Sequence, residues 1–222
     1  EGPAPRAVSP AIAPPAEPIA DEPREETERR TAANDAAPAA LLALSQAFAQ
    51  KTFEAAGELP ALALSVCEGD SDDGFALASA RALARRGRTI LVALDEAAKM
   101  PQASGPGLAE LLTGRASFDE TIHRDQISRL HYLRAGEGAR GGADALLSAL
   151  DALMEAYDFV VVAGSSVLDI DDAYALSQLA KSCADYSTDS YAAATLAEAL
   201  EKHGLPHPAI FGSEDARLGT AA

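Results

Sequence analysis

The chain has 222 residues, of which 48% are hydrophobic and 5% aromatic, and its net charge is −16. This length accommodates one domain of ordinary size with a tail, and the apolar content is sufficient for a core. The acidic charge argues against nucleic acid as a partner and against unaided binding to an anionic membrane surface, because both depend on Lys and Arg.

The first 38 residues are rich in Pro, Ala and Glu and contain few large apolar side chains. Such a segment cannot bury enough surface to offset the entropy lost on ordering. We therefore predict a flexible, extended linker over residues 1–38 and a folded domain over residues 39–222. A short helix at residues 21–30, acidic at its start and basic at its end, is the alternative.

From residue 39 onward, short apolar runs alternate with amphipathic segments. The apolar runs predict buried strands at residues 61–66, 89–94, 130–133 and 159–162, with an edge strand near residues 206–211. Helical spacing begins at residue 39 and recurs at residues 75–86, 108–112, 143–157, 172–180 and 189–203, while residues 118–122 are helical or turn-like. Continuously apolar strands between helices are typical of a parallel sheet covered on both faces. We predict an α/β fold with three layers.

The first predicted strand is followed by a glycine-containing loop and then by a helix that starts at Phe75. This order of elements is the context in which a phosphate-binding P-loop occurs. The loop positions of interest are Gly69, Ser71, Asp72, Asp73 and Gly74.

Four segments, in this order, resemble the cytoplasmic domain of bacterial tyrosine autokinases, the polysaccharide co-polymerases of exopolysaccharide and capsule export. They are ALASARALARRGRTILVALD at 76–95, GLAELLTG at 107–114, LHYLRAG at 130–136 and YDFVVVA at 157–163. The resemblance covers roughly residues 39–180. Each segment is weak evidence alone, but their order and spacing together are fairly specific. The resemblance implies a P-loop NTPase fold of the MinD/ParA type.

The resemblance also shows where this chain departs from the family. The family's P-loop Lys and Ser/Thr fall on Asp72 and Asp73, and two of its metal-site aspartates fall on Ala93 and Ala163, so that only Asp95 remains. Two carboxylates in the loop would repel a triphosphate instead of neutralising it. We predict a degenerate nucleotide site with no catalytic residue, no bound metal and no cofactor.

Other family features are also missing from the sequence. The Glu and two Arg used in ring assembly fall on Ala39, Leu42 and Ser45, and the C-terminal tail contains no tyrosine cluster. An apolar helix face there suits packing or a hydrophobic partner better than a salt-bridged ring. Self-phosphorylation is therefore doubtful on two grounds: the site for the phosphate donor is degenerate, and the tail lacks the tyrosines that would accept the phosphate.

We interpret the chain as a catalytically inactive scaffold or regulatory module in exopolysaccharide polymerisation and export. The resemblance implies a cytoplasmic location at the inner face of the plasma membrane. It also implies that the partner is a membrane-embedded co-polymerase or an upstream membrane region of the same chain. A homo-oligomer is a further option. The alternatives are an active autokinase or ATPase that uses ATP and Mg²⁺ with an atypical loop, or a regulatory protein of the MinD/ParA type.

Two further expectations depend on single segments. Asp72, Asp73 and Asp95 could form a new cation site, since hard cations bind clustered oxygens, although a solvated acidic loop is the default interpretation. The family has a central apolar strand where residues 181–189 contain no apolar run. Losing a central strand would leave backbone groups of its neighbours unpaired, so we expect residues to be missing between about Ala184 and Asp189.

Overall fold

The computed structural model describes residues 24–57, 59–67, 74–96, 98–139, 141–165, 176–186, 202 and 209–211. The chain divides into two compact units, Glu1–Ala36 and Ala37–Ala222. Helix α1 spans Arg24–Ala56. The structure thus differs from the predicted extended linker, because residues from Arg24 onward are helical. The Glu, Arg and Ala residues of this segment have high helix propensity, which explains the difference.

The second unit contains a sheet of seven strands in the part of the chain that is described. In chain order they are β1 Ala61–Cys67, β2 Thr89–Ala93, β3 Ile122–Arg124, β4 His131–Leu133, β5 Phe159–Ser165, β6 Ala180–Tyr186 and β7 Ala209–Phe211. Their order across the sheet is β3-β4-β2-β5-β1-β6-β7. All neighbouring pairs are parallel except β3 and β4. The predicted parallel sheet is confirmed.

Four more helices lie wholly within the described ranges: α2 Phe75–Leu83, α3 Leu108–Leu112, α4 Phe118–Thr121 and α5 Ala143–Ala156. Each was predicted within a few residues of its observed bounds. The end of α2 differs most, because the helix passes into a turn before Gly87, whose N–H donates to the Leu83 carbonyl (3.2 Å).

Alternate residues of the central strands point to opposite faces of the sheet and form two large cores, beside a small third cluster of Leu44, Phe48, Ala63 and Phe75. One core joins α5 to the sheet through Leu62, Leu64, Ile90, Val92, Val160 and Val162, packed with Leu146, Leu150 and Leu153. The other joins α2 and the C-terminal part of α1 to the sheet through Ala61, Leu91, Phe159 and Val161, packed with Ala49, Ala56, Ala80 and Leu83. This arrangement is the predicted three-layer sandwich.

Strand β6 corrects the expectation that the chain has no strand in this region, which was the reason for expecting residues to be missing between about Ala184 and Asp189. Ala180–Tyr186 is a strand and pairs in parallel with both β1 and β7. The pairing is between backbone groups, so a strand between two others can form without a run of apolar side chains. Of the two helices predicted in this region, residues 176–179 are helical, and the rest lies mostly outside the described residues.

Within the described residues, no helix combines the length and the apolar character that a membrane span requires.

Candidate functional site

The parallel strands place their carboxyl ends at one edge of the sheet, which is where open α/β sheets bind ligands. Strand β1 ends at this edge, and the residues predicted in the loop that follows it, Gly69, Ser71, Asp72 and Asp73, lie outside the described residues. Gly74, the residue before α2, has φ of 91°, a conformation that glycine adopts without strain.

Ala93 and Ala163 lie side by side at this edge. Strand β5 lies between β1 and β2, and Ala163 is in register with Ser65 on one side and Ala93 on the other. The Leu94 N–H donates to the Ala163 carbonyl (2.8 Å), which fixes the ends of the two strands together. Both alanine side chains are buried, with 1% and 2% of their surface exposed. A methyl group cannot bind a metal ion or accept a proton, so these two positions do not fit a magnesium-bound nucleotide.

Asp95 lies just beyond β2 and lines a cleft of about 870 Å³ at the same edge. Glu96 and Lys99 come from the same loop, and Arg134 comes from the segment that follows β4. Arg134 also donates from Nη1 to the carbonyl oxygen of Ala103 (2.5 Å), so its guanidinium bridges two segments of the cleft wall. The four ionisable groups carry two charges of each sign, and their sum is zero.

The side chain of Lys99 reaches the start of α2. A Cβ atom built on Gly74 would lie 3.4 Å from Cδ of Lys99. The aliphatic part of the Lys99 side chain thus lies beside the N-terminal end of α2, whose partial positive charge favours anions. Sequence reasoning missed Lys99 and Arg134. The sequence feature that could have identified these two residues is that each follows the end of a parallel strand.

The wall of the cleft is held together around Glu110 of α3. Its carboxylate accepts from the Gly107 N–H (2.8 Å) and from the Glu137 N–H (3.1 Å), which ties the start of α3 to the segment after β4. These contacts, the bond from Gly107 first among them, outweigh the cost of desolvation and lower the pKa of Glu110. In addition, the Leu108 N–H donates to the Arg134 carbonyl (2.7 Å), and this positions Arg134 in the cleft.

The three helix positions compared with the family's ring-assembly residues fall in different environments. Ala39 is exposed and Leu42 is 50% exposed. Ser45 is fully buried, and its hydroxyl donates to the Leu42 carbonyl (2.9 Å). Among these positions, only Ala39 and Leu42 are therefore accessible to a partner.

No protein-family model matches the chain, and no curated protein matches it. Solved structures do match. The VpsO kinase domain is 19% identical with a TM-score of 0.64, and the match covers 86% of this chain and 98% of that one. The BceF tyrosine kinase domain is 20% identical with a TM-score of 0.58, covering 78% and 76%. The chimerical protein CapA2B2 is 18% identical with a TM-score of 0.58, covering 72% and 79%.

At these identities the similarity concerns the fold, and it extends over almost the whole of the VpsO kinase domain. The fold implied by the four sequence segments is thereby confirmed. This chain has the α/β fold of bacterial tyrosine kinase domains.

Proposed function

We propose that this protein is a catalytically inactive, kinase-like scaffold or regulatory module in bacterial exopolysaccharide or capsule polymerisation and export. The observation that carries this proposal is the adjacent, buried pair Ala93 and Ala163 at the carboxyl edge of the sheet. The resembling family has aspartates at both positions. Two neighbouring losses in one place remove the oxygen ligands that a nucleotide-bound magnesium ion needs.

Charge supports the same conclusion. The sequence places Asp72 and Asp73 in the loop where the resemblance calls for Lys and Ser or Thr. A carboxylate about 4 Å from a phosphate charge is repelled by about 4 kcal/mol at an effective dielectric constant near 20. The cations of the described cleft, Lys99 and Arg134, are matched by Asp95 and Glu96. The site therefore offers little net attraction for a triphosphate.

A second candidate function is an active autokinase or ATPase, and the position of Lys99 favours it. Its side chain passes next to Gly74 at the start of α2. A lysine supplied from the loop after β2 would partly replace the missing loop lysine. It would not replace the metal ligands lost at Ala93 and Ala163, so this function ranks second.

The partner and location follow from the resemblance and are part of the proposal. The partner is a membrane-embedded co-polymerase, or a membrane region upstream in the same chain, and assembly with further copies is included. The domain would then act at the cytoplasmic face of the plasma membrane. The exposed Leu42 is a described apolar residue that such a partner could cover.

The test is isothermal titration of the whole chain with ATP and Mg²⁺. The Asp72→Lys, Asp73→Ser double variant and the Lys99→Ala variant are titrated in parallel. We expect no binding by the native chain up to millimolar ATP. Micromolar binding would overturn the proposal, and its loss in Lys99→Ala would show that this lysine serves as the phosphate ligand. Binding gained only by the double variant would identify the loop charges as the decisive defect.

A further inference from the structure

A second cleft, of about 700 Å³, lies at the opposite edge of the sheet, next to the amino ends of β2, β4 and β5. Five arginines line it: Arg85, Arg86, Arg88, Arg124 and Arg129. The first three come from the turn between α2 and β2, Arg124 ends β3, and Arg129 precedes β4. The chain as a whole has 18 basic residues and a net charge of −16. More than a quarter of its basic residues are therefore gathered in one cleft of an acidic protein.

The cleft has far more positive than negative charge. Asp158 is the one carboxylate among its lining residues, and it is paired with Arg88 (Nη2 to Oδ1, 3.1 Å). Arg86 donates to Oε1 of Gln50 (2.5 Å), and its guanidinium carbon lies 4.9 Å from the centre of the Phe53 ring. Both of these arginines are thus held in place by neighbours.

Arg85, Arg124 and Arg129 are different. All three are exposed, and in the described part of the chain none has an ion-pair partner. Like charges in one cleft repel each other, so the cluster is unfavourable by itself. A bound anion would remove that repulsion and supply acceptors for donor groups that otherwise face only water.

The inner part of the cleft contains hydrogen-bonding groups as well. Nδ1 of His131 lies 2.7 Å from the hydroxyl oxygen of Tyr157, and the two rings meet edge to face. Burial, with a further contribution from Arg124, lowers the pKa of His131. The positive charge of the cleft at neutral pH therefore comes from its arginines, which stay protonated at all physiological pH values.

The chemistry of the cleft indicates the class of ligand. Planar guanidinium groups donate pairs of hydrogen bonds to phosphate oxygens, and clusters of them are typical of phosphate recognition. The volume lies within the range of about 300–1,000 Å³ found for small-molecule sites. We propose that the arginine cleft binds a ligand through its phosphate groups. Such groups can belong to a free oligophosphate or to phospholipid headgroups, and the experiment distinguishes these sources.

This site does not depend on the proposed function, because it lies at the other edge of the sheet from Ala93, Ala163 and Asp95. A chain that binds no ATP at the carboxyl edge would still bind phosphate here. A matched control is available, since Lys51 and Lys181 are two exposed cations that line neither cleft.

The experiment titrates the full chain with inorganic tripolyphosphate in low-salt buffer, together with two double variants. Arg124→Gln, Arg129→Gln should weaken binding by about tenfold or more, because two charged hydrogen-bond donors are lost. Lys51→Gln, Lys181→Gln, which removes the same amount of charge, should leave the affinity unchanged. Equal weakening by both variants, or weakening by the second alone, would overturn the proposal. Thermal unfolding of each variant verifies that the exposed substitutions leave the fold intact.

A second arm identifies the source of the phosphate. The chain is floated with vesicles of phosphatidylcholine alone and with vesicles that also contain phosphatidic acid. Flotation only with phosphatidic acid, lost in Arg124→Gln, Arg129→Gln, supports lipid headgroups. Binding of tripolyphosphate without flotation supports a free ligand. If neither tripolyphosphate nor phosphatidic acid vesicles bind, the cleft has no phosphate site and the proposal is wrong.

Discussion

At the scale of single residues, the ion pair of Arg81 and Asp125 is the most buried of the described salt bridges. Arg81 donates from Nε and Nη2 to the two carboxylate oxygens (2.9 and 3.0 Å). The Asp125 side chain is only 3% exposed, and it also accepts from the Ser128 hydroxyl (2.5 Å). Burial opposes ionisation, but the bonds from Arg81 and Ser128 outweigh it and keep the pKa of Asp125 low.

We predict that Arg81→Ala lowers the free energy of unfolding by about 2–3 kcal/mol, because Asp125 is left buried with part of its hydrogen bonding lost. Arg85→Ala is the matched control, since Arg85 lies four residues further along and is exposed. It should cost less than about 0.5 kcal/mol. Urea unfolding of both variants measures the difference, and equal costs would show that the buried pair contributes nothing specific.

Glu110 makes a pH-dependent contribution to the free energy of unfolding. Its pKa is lowered from the ordinary 4.5, so its stabilising effect is complete above that value and is lost as the pH falls through the lowered pKa. We predict that Glu110→Gln costs about 1–2 kcal/mol at pH 7, because an amide nitrogen cannot accept from a backbone N–H. The cost should shrink as the pH falls below 4. Asp151→Asn on exposed helix surface is the control, and a Glu110→Gln cost that persists at low pH would contradict the prediction.

The residues of the candidate site differ in how far sequence could identify them. Ala93 lies near the end of a predicted strand, Asp95 and Ala163 follow predicted strands, and all three fall within matching segments. The structure places the two alanines in register. Lys99 lies outside the four matching segments, and Arg134 lies within one of them, but neither was singled out as a site residue. Their relevance depends on how two loops fold over the edge of the sheet, which spacing along the chain does not encode.

At the scale of elements, α3 and the segment after β4 approach each other closely. A Cβ atom built on Gly107 would lie 2.4 Å from the Gly136 nitrogen and 2.6 Å from the Arg134 carbonyl oxygen. Both are backbone atoms, so the two segments would have to separate to accommodate a methyl group. That separation would also disturb the bond from the Leu108 N–H to the Arg134 carbonyl.

We predict that Gly107→Ala lowers the free energy of unfolding by about 2–3 kcal/mol through this overpacking. Gly142→Ala is the control, because nothing lies within 4 Å of its added Cβ and its φ is −69°. Because Gly142 is the N-cap of α5, where Ala is less favourable than Gly, that substitution should cost less than about 1 kcal/mol. Chemical denaturation of the two variants gives the comparison. If Gly107→Ala leaves the free energy of unfolding unchanged, α3 and the segment after β4 can separate at little cost.

The helices and strands that could be predicted from sequence are those whose own side-chain pattern specifies them. Strands β1, β2 and β5 are continuous apolar runs because both faces are covered, and this pattern is visible in sequence. Strand β6 was missed because Ala180–Tyr186 has no such run, and its pairing with β1 and β7 is a property of the sheet. Strand β3 was missed for a related reason, since three residues beside β4 carry too little periodicity to recognise.

At the scale of the whole molecule, the charges are distributed unevenly. The net charge of −16 argued against nucleic acid and against unaided binding to an anionic membrane surface. The fold nevertheless brings arginines from three separate segments to one edge of the sheet. Net charge governs solubility and long-range repulsion, whereas a local cleft decides which small ligand binds. Composition could not reveal the arginine cleft, because its residues come from separate parts of the chain. Arg85 and Arg129 are 44 residues apart.

The division of the chain can be tested by shortening it. The buried side chains of α1 that the structure describes all lie in the second unit, Ala37–Ala222; they are Leu44, Ser45, Phe48, Ala49, Thr52 and Ala56. A chain that starts at residue 37 should therefore unfold at the same urea concentration as the full chain. A chain that starts at residue 61 should be much less stable. The loss of Phe48 alone, which is 1% exposed and lies 5.6 Å from the Phe75 ring, costs about 3–5 kcal/mol. An equal loss in both shortened chains would mean that the first unit contributes to the stability of the second.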